Sequence, residues 1–160
     1  MCLIQINKNK LASGSIDRHV KIWDVITGNC LITLIGHSDS VQSLFKINEN
    51  KIASCSLNYI IIWDVTTGDC LNILNELSNY TGELIKINEN KIACFRGKQI
   101  IIWDIKIGTL LKIQEDDCGR CCLIKINESQ IASVTGRNFY VKIWDIITGN
   151  CLNTSIYNIY

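Results

Sequence analysis

Nine cysteines and two histidines are the side chains of this 160-residue chain best suited to bind a metal. Cys118, Cys121 and Cys122 form a CxxCC cluster, and cysteine pairs at this spacing occur in zinc sites. A structural zinc ion needs a second pair of ligands, and neither His19 nor His37 stands at metal-ligand spacing. The sequence therefore predicts no metal and no cofactor.

Catalytic motifs are absent from the sequence. His37 and Asp17 are residue types that often transfer protons, but no nucleophile elbow or paired-carboxylate constellation accompanies them. The WDxxTG segments contain glycine and threonine, yet they are predicted to turn between two strands, so they offer no helix N-terminus to a phosphate. We predict that the protein is not an enzyme.

A repeat sets the elements that position these residues. Tryptophan stands at Trp23, Trp63, Trp103 and Trp144, each followed by aspartate, at spacings of 40, 40 and 41 residues. The segments QINKNKLAS, KINENKIAS, KINENKIAC and KINESQIAS keep the same interval. A fixed period of this length indicates a solenoid, a propeller or an array.

Each repeat is predicted to be four short strands. FKIN, KIASCS, IIIWDV and CLNIL are rich in isoleucine, valine and aromatic residues, and turn-forming residues separate them. No segment keeps a helical period for ten or more residues. The cysteines also recur in phase: Cys122 matches Cys2, and a second position is shared by Cys30, Cys70 and Cys151. We expect these cysteines to be small buried apolar side chains.

The stretch LASGSIDRHVKIWD, followed by GHSDSV, resembles the WD40 repeat of β-propellers, and the resemblance covers essentially the whole chain in four copies. It implies an all-β fold of four four-stranded antiparallel blades. The innermost strands would be CLIQI, VQSLF, ELIKI and CLIKI, and the outermost CLITL, CLNIL, TLLKI and CLNTS. We expect one domain over residues 1–156, with blades at about 1–34, 35–74, 75–113 and 114–156, and a C-terminal tail at 157–160.

The resemblance also implies a hydrogen-bonded set that ties the strands of a blade together, because a buried tryptophan N–H needs an acceptor. Its members here would be Ser13, Asp17, Trp23, His37, Ser54, Trp63, Trp103, Ser133 and Trp144. No repeat carries the full set: Asn58 stands at the aspartate position of the second repeat and Cys94 at the serine position of the third. We expect stability to rest mainly on apolar packing between blades.

Four blades are few for this family, whose members usually have about seven. The chain is then a half propeller that pairs with a copy of itself, a truncated or decayed part of a longer propeller, or a closed four-bladed ring. Two residues before each tryptophan stand Lys21, Ile61, Ile101 and Lys142, and charge in the terminal repeats alone is typical of capping repeats. The alternative is that lysine is simply common there in WD40 blades.

The function implied by the resemblance is a non-catalytic scaffold that binds a protein or peptide through its loops. The candidate contacts are Arg18, His19, Asp39, Asn58, Tyr59, Tyr80, Arg120, Arg137 and Phe139. The alternative is a substrate receptor of a ubiquitin ligase that acts through a separate adaptor.

Composition narrows the partners. The net charge is +1, with 16 basic and 15 acidic residues scattered along the chain, which indicates neither a nucleic acid nor a membrane partner. The start lacks the pattern of a secretory signal and no apolar run approaches a membrane span. We therefore expect a cytoplasmic or nuclear protein.

Overall fold

The computed structural model describes residues 1–75, 84–96, 99–113, 121–135 and 140–156, and its regular structure there is entirely β-strand. Sixteen strands form four antiparallel four-stranded sheets, each in chain order. Sheet 1 has β1 (Cys2–Asn7), β2 (Lys10–Gly14), β3 (His19–Asp24) and β4 (Cys30–Ile35). Sheet 2 has β5 (Ser43–Lys46), β6 (Lys51–Cys55), β7 (Ile60–Asp64) and β8 (Cys70–Leu74). Sheet 3 has β9 (Ile85–Lys86), β10 (Lys91–Arg96), β11 (Gln99–Asp104) and β12 (Thr109–Ile113). Sheet 4 has β13 (Cys121–Lys125), β14 (Gln130–Thr135), β15 (Tyr140–Asp145) and β16 (Cys151–Ile156). The prediction of four four-stranded antiparallel blades is confirmed.

The aspartate after each tryptophan closes the turn between the third and fourth strands. In sheet 2, Asp64 Oδ1 accepts hydrogen bonds from Thr66 N at 2.7 Å and Thr67 N at 3.1 Å. Gly68 N donates to the Asp64 carbonyl at 2.9 Å, and Gly68 has φ of 85°, which favours a residue without Cβ. The recurring WDxxTG letters therefore encode one turn, and the same bonds lower the pKa of the Asp64 carboxyl.

Alternation along the strands gives every sheet two faces, which we name by their residues. The tryptophan face carries the tryptophan and the serine paired near it; in sheet 1 it bears Leu3, Leu11, Ser13, Lys21 and Trp23. The aliphatic face is the opposite one; in sheet 1 it bears Ile4, Ala12, Val20 and Ile22.

The chain divides into two compact units, residues 1–78 with sheets 1 and 2 and residues 79–160 with sheets 3 and 4. Both units have the same internal packing. In the first, the buried core joins Val20 and Ile22 on the aliphatic face of sheet 1 with Ile61 and Trp63 on the tryptophan face of sheet 2. In the second, sheet 3 contributes the aliphatic face and sheet 4 the tryptophan face. Aliphatic-on-tryptophan packing is therefore the repeating contact within each unit.

The expectation that the in-phase cysteines are buried is wrong. Cys2 is half-buried and Cys122 exposed, and the second set, Cys30, Cys70 and Cys151, is exposed as well. Each member of this second set opens the fourth strand of its sheet, where a register shift opposes it to the tryptophan. These cysteines recur because they share one position at a sheet edge, and their recurrence does not indicate burial. The buried cysteines of the described part are Cys55 and Cys94.

The capping interpretation of Lys21 and Lys142 is wrong for sheet 4. Lys142 lies on the tryptophan face, with its Nζ 5.7 Å from the ring centroid of Trp144. That is the face turned toward sheet 3, because Trp144 belongs to the core shared with that sheet. Lys21 makes the matching contact to Trp23 at 5.9 Å. This lysine position therefore serves a cation–π contact, whose geometry favours a long cationic side chain.

Candidate functional site

Three of the four tryptophans donate their indole N–H to a serine on the neighbouring strand. Trp23 Nε1 reaches Ser13 Oγ at 2.8 Å. Trp63 Nε1 reaches Ser54 Oγ at 2.7 Å, and Trp144 Nε1 reaches Ser133 Oγ at 2.9 Å. In sheet 3, Trp103 and Cys94 are both buried. The serine position thus supplies the acceptor that a buried indole needs.

His37 extends this arrangement in sheet 2. Its Nε2 lies 2.5 Å from Ser54 Oγ, and its ring stacks on Tyr59 with centroids 5.3 Å apart and planes 12° from parallel. Its Nδ1 is buried and has no hydrogen-bond partner among the residues that the structure describes. Desolvation lowers the pKa of His37 to about 4, so the imidazole is neutral at neutral pH.

A histidine this close to a serine hydroxyl is also the pairing of a nucleophile with its base. Two features oppose that role here. Ser54 is fully buried, so no substrate can approach its oxygen, and that oxygen already accepts the Trp63 N–H. Asp17, the carboxylate predicted to share the framework with His37, bonds instead within its own turn, to His19 N at 3.0 Å. The His37–Ser54 pair therefore holds the loop before β5 onto the sheet.

Three segments of the first unit are joined by hydrogen bonds, and we call them together the loop edge: residues 15–19, 36–42 and 56–59. Ser38 N donates to Tyr59 Oη at 2.6 Å, and that oxygen also lies 3.3 Å from the Gly36 carbonyl. Val41 N donates to the Ser15 carbonyl at 3.0 Å. The middle segment is thereby tied to both turns.

Several polar side chains at the loop edge contact one another. Asn58 Nδ2 donates to Asp39 Oδ2 at 3.3 Å, and the Asp17 carboxylate lies 3.7 Å from His19 Nδ1. The bond from His19 N is the main reason that the pKa of Asp17 is lowered. Arg18 is exposed and has φ of 72°, a left-handed conformation uncommon outside glycine. The Arg18 side chain is thus open to solvent.

The structure brings five of the nine candidate contact residues together on this edge: Arg18, His19, Asp39, Asn58 and Tyr59. The other four, Tyr80, Arg120, Arg137 and Phe139, lie outside the described residues. Sequence reasoning missed Ile16 and Leu57, which occupy the same place in the two turns and are 77% and 51% exposed. The sequence pattern that could have indicated them is an aliphatic residue directly after a serine at the start of each turn, in SIDR and SLNY.

The described residues lack both a metal-ligand cluster and a membrane-spanning helix. No group of three or more histidine, cysteine, aspartate or glutamate side chains is placed to hold a metal ion among the described residues. Cys118 and the Cys121 side chain of the CxxCC cluster lie outside that description. Within the described part of the chain, no helix combines the length and apolar character required to cross a bilayer.

Comparison with known proteins finds WD repeats in part of the chain. The family model "WD domain, G-beta repeat" matches residues 2–24 and 28–64. A 34-residue segment is 59% identical to the Lissencephaly-1 homolog of Trichoplax adhaerens, covering 21% of this chain and 8% of that protein. A 40-residue segment is 42% identical to the F-box/WD repeat-containing protein 7 of Drosophila melanogaster, covering 25% of this chain and 3% of that protein.

Solved structures match over nearly the whole chain. The WD40 repeats of RRP9 align with a TM-score of 0.72 at 21% identity, covering 97% of this chain and 48% of the solved one. The computationally designed Ika8 protein aligns with a TM-score of 0.75 at 25% identity, covering 94% of this chain and 47% of the solved one. The chain thus spans about half the length of these structures. WD40 repeats are thus shown over residues 2–24 and 28–64, and the four antiparallel sheets have the fold of the solved WD40 repeats.

Proposed function

We propose that the protein is a non-catalytic scaffold that binds a protein or peptide partner through the loop edge. WD40 propellers typically act as protein-interaction modules and are generally not enzymes, which supports the class of function. The observation that carries the proposal is the exposure of Ile16 and Leu57 on turns whose backbones are held by Tyr59 and Val41. Exposed aliphatic side chains on a fixed backbone lose little conformational entropy when a partner covers them.

The proposal gives the individual residues different roles. Ile16 and Leu57 would supply apolar contact area, and Arg18 would supply a charged donor, since arginine is enriched at binding hot spots. His37 lies within the loop edge and would fix it to Ser54 and Trp63 of the sheet without touching the partner. Asp39, Asn58, Tyr59 and His19 bond within the edge, so they would act mainly by holding its shape.

The test is affinity capture followed by mass spectrometry, with a matched control. The full chain would be immobilised as wild type, as the Ile16→Ser/Leu57→Ser variant and as the Ile26→Ser variant. Ile26 is an exposed isoleucine of the same unit, in the turn after β3 and outside the loop edge. We expect proteins captured by the wild type to be retained by I26S and lost from the double variant. Equal capture by all three chains would contradict the assignment of the loop edge.

Two further expectations belong with this proposal. We propose a cytoplasmic or nuclear location, which suits exposed unpaired thiols such as Cys30 and Cys70, since these persist in reducing compartments. We also propose that a second copy of the chain is a partner. The ubiquitin-ligase alternative is not favoured, because the match to the F-box relative covers only 3% of that protein.

A further inference from the structure

The aliphatic face of sheet 4 is open, whereas the same face of the other three sheets is closed. The isoleucine just before the tryptophan is fully buried as Ile22, Ile62 and Ile102 in sheets 1 to 3, but Ile143 in sheet 4 is partly exposed. The edge of this face is more open still, with Ile124 59% and Val134 43% exposed. Within the described residues, sheet 4 thus presents a partly exposed apolar face.

The tryptophan face of sheet 1 is open in a complementary way. Trp63, Trp103 and Trp144 are buried, but Trp23 is partly exposed. Leu3, on the same face, is 64% exposed. The described residues therefore include a partly exposed aliphatic face in sheet 4 and a partly exposed tryptophan face in sheet 1.

The second unit contains an example of the contact that would cover these two exposed faces. There the aliphatic face of sheet 3 packs against the tryptophan face of sheet 4 in one buried core. The open face of sheet 4 resembles the covered face of sheet 3, with three of five positions identical and all five apolar: Ile124, Ala132, Val134, Val141 and Ile143 stand where sheet 3 has Ile85, Ala93, Phe95, Ile100 and Ile102.

The open face of sheet 1 repeats the covering face of sheet 4 in the same way. Leu3, Leu11, Ser13, Lys21 and Trp23 stand where sheet 4 has Leu123, Ile131, Ser133, Lys142 and Trp144. Four of these five pairs are identical and the fifth exchanges leucine for isoleucine. The tryptophan face of sheet 1 in a second copy thus has nearly the same residues as the tryptophan face of sheet 4, which covers the aliphatic face of sheet 3 in this structure.

We infer that the aliphatic face of sheet 4 binds the tryptophan face of sheet 1 of a second copy, and that two copies make this contact twice. Four strands of five residues cover ~17 by ~19 Å, or ~320 Å² per face. One contact would bury ~650 Å² and two contacts ~1,300 Å², and only the latter reaches the roughly 1,200 Å² of specific stable interfaces. This chain spans 47% of the designed Ika8 protein and 48% of the solved RRP9 repeats, so each of those chains has about the length of two copies. This inference deepens the proposed self-partner and leaves the loop edge free.

Light scattering after size exclusion gives the first measurement. We expect a sharp species at twice the 18.1 kDa mass of one chain. Ile124→Lys and Leu3→Lys each place a charge on one of the paired faces and should shift the mass toward a single chain, with circular dichroism showing that the fold is kept. Ile147→Lys, an exposed isoleucine in the turn after β15, is the control and should remain a dimer. A single-chain mass for the wild type at every concentration would overturn the inference.

Mixing the two face variants tests which faces meet. Each variant alone has a defect in both contacts of its dimer, but a mixed dimer collects both defects in one contact and leaves the other intact. The mixture should therefore associate more strongly than I124K or L3K alone, and equal association would overturn the face assignment. The loop-edge proposal is tested separately, since I16S/L57S should remain dimeric and I124K should still capture partners.

Discussion

Replacing Ser54 by alanine should be among the most damaging small substitutions in the first unit. Ser54 Oγ is shared by two buried groups, accepting Trp63 Nε1–H at 2.7 Å and lying 2.5 Å from His37 Nε2. Ser54 Oγ accepts the tryptophan N–H, and according to the His37 tautomer it either donates its own proton to His37 Nε2 or accepts a second N–H from it. Alanine therefore leaves two buried nitrogens without partners.

The expected magnitude follows from those two groups. A buried polar group that loses its partner costs ~1–3 kcal/mol, so Ser54→Ala should lower the free energy of unfolding by ~2–5 kcal/mol. Ser13→Ala in sheet 1 is the matched control. Trp23 is only partly buried, so water can replace part of the lost bond, and the cost should be ~0.5–1.5 kcal/mol. Urea unfolding at neutral pH, followed by circular dichroism, measures both.

A double-mutant cycle separates the shared bond from the cavity that alanine leaves. Trp63→Phe removes the indole donor, so in that background the cost of Ser54→Ala should fall by at least ~1 kcal/mol. If S54A and S13A cost the same, or if the two changes at Ser54 and Trp63 are additive, the serine is not the shared acceptor on which this reasoning depends.

Variants at three other features of the first unit give further tests. Burial lowers the pKa of His37 to about 4 in the folded chain, so the unfolded chain takes up a proton first as the pH falls below the ordinary value of 6.5. The free energy of unfolding should therefore be highest above pH 6.5 and fall by ~1–2 kcal/mol toward pH 4, after allowance for solvent near the ring. His37→Gln should flatten this part of the pH profile measured by urea unfolding. Asn58→Asp replaces a donor to Asp39 by a like charge and should cost ~0.5–1 kcal/mol at low salt, and Asp39→Asn should restore it. Gly28→Ala should lower the free energy of unfolding by ~1–2 kcal/mol, because Gly28 has a φ of 72° that a residue with a Cβ rarely adopts. Gly68→Ala should lower it further in the same assay, because the added Cβ would also lie 3.1 Å from a side-chain carbon of β4.

The strands could be predicted from the sequence because each repeat contains several independent patterns that are typical of a four-stranded sheet. A register set by alternation, a WDxxTG turn and a β-branched third strand specify a four-stranded sheet locally, without reference to distant residues. The turn at Asp64 and Gly68 shows this well, since every bond that defines it lies within five residues. Repetition then confirms each element against its three counterparts.

Burial and side-chain partnership could not be predicted in the same way, because they depend on what packs above a sheet. Cys30 and Cys55 are both cysteines within strands, yet one is exposed at a sheet edge and the other is fully buried. Tyr59 looked like a surface aromatic in a turn. Its hydroxyl instead binds the backbone of Ser38, 21 residues away in sequence. Such long-range contacts are fixed by tertiary structure and leave no local signal.

The two proposed binding surfaces use different parts of the repeat, which makes them separable. The sheet faces are built from alternate residues within strands, such as Ile143 and Trp23, whereas the loop edge is built from turns, such as those bearing Ile16 and Leu57. Self-association through the faces would bury strand side chains and add nothing to the turns. It would, however, place two loop edges in one assembly, so that a partner with two binding segments would gain avidity from the dimer without any new contact. The I124K variant should therefore weaken capture of a bivalent partner while leaving that of a monovalent peptide unchanged.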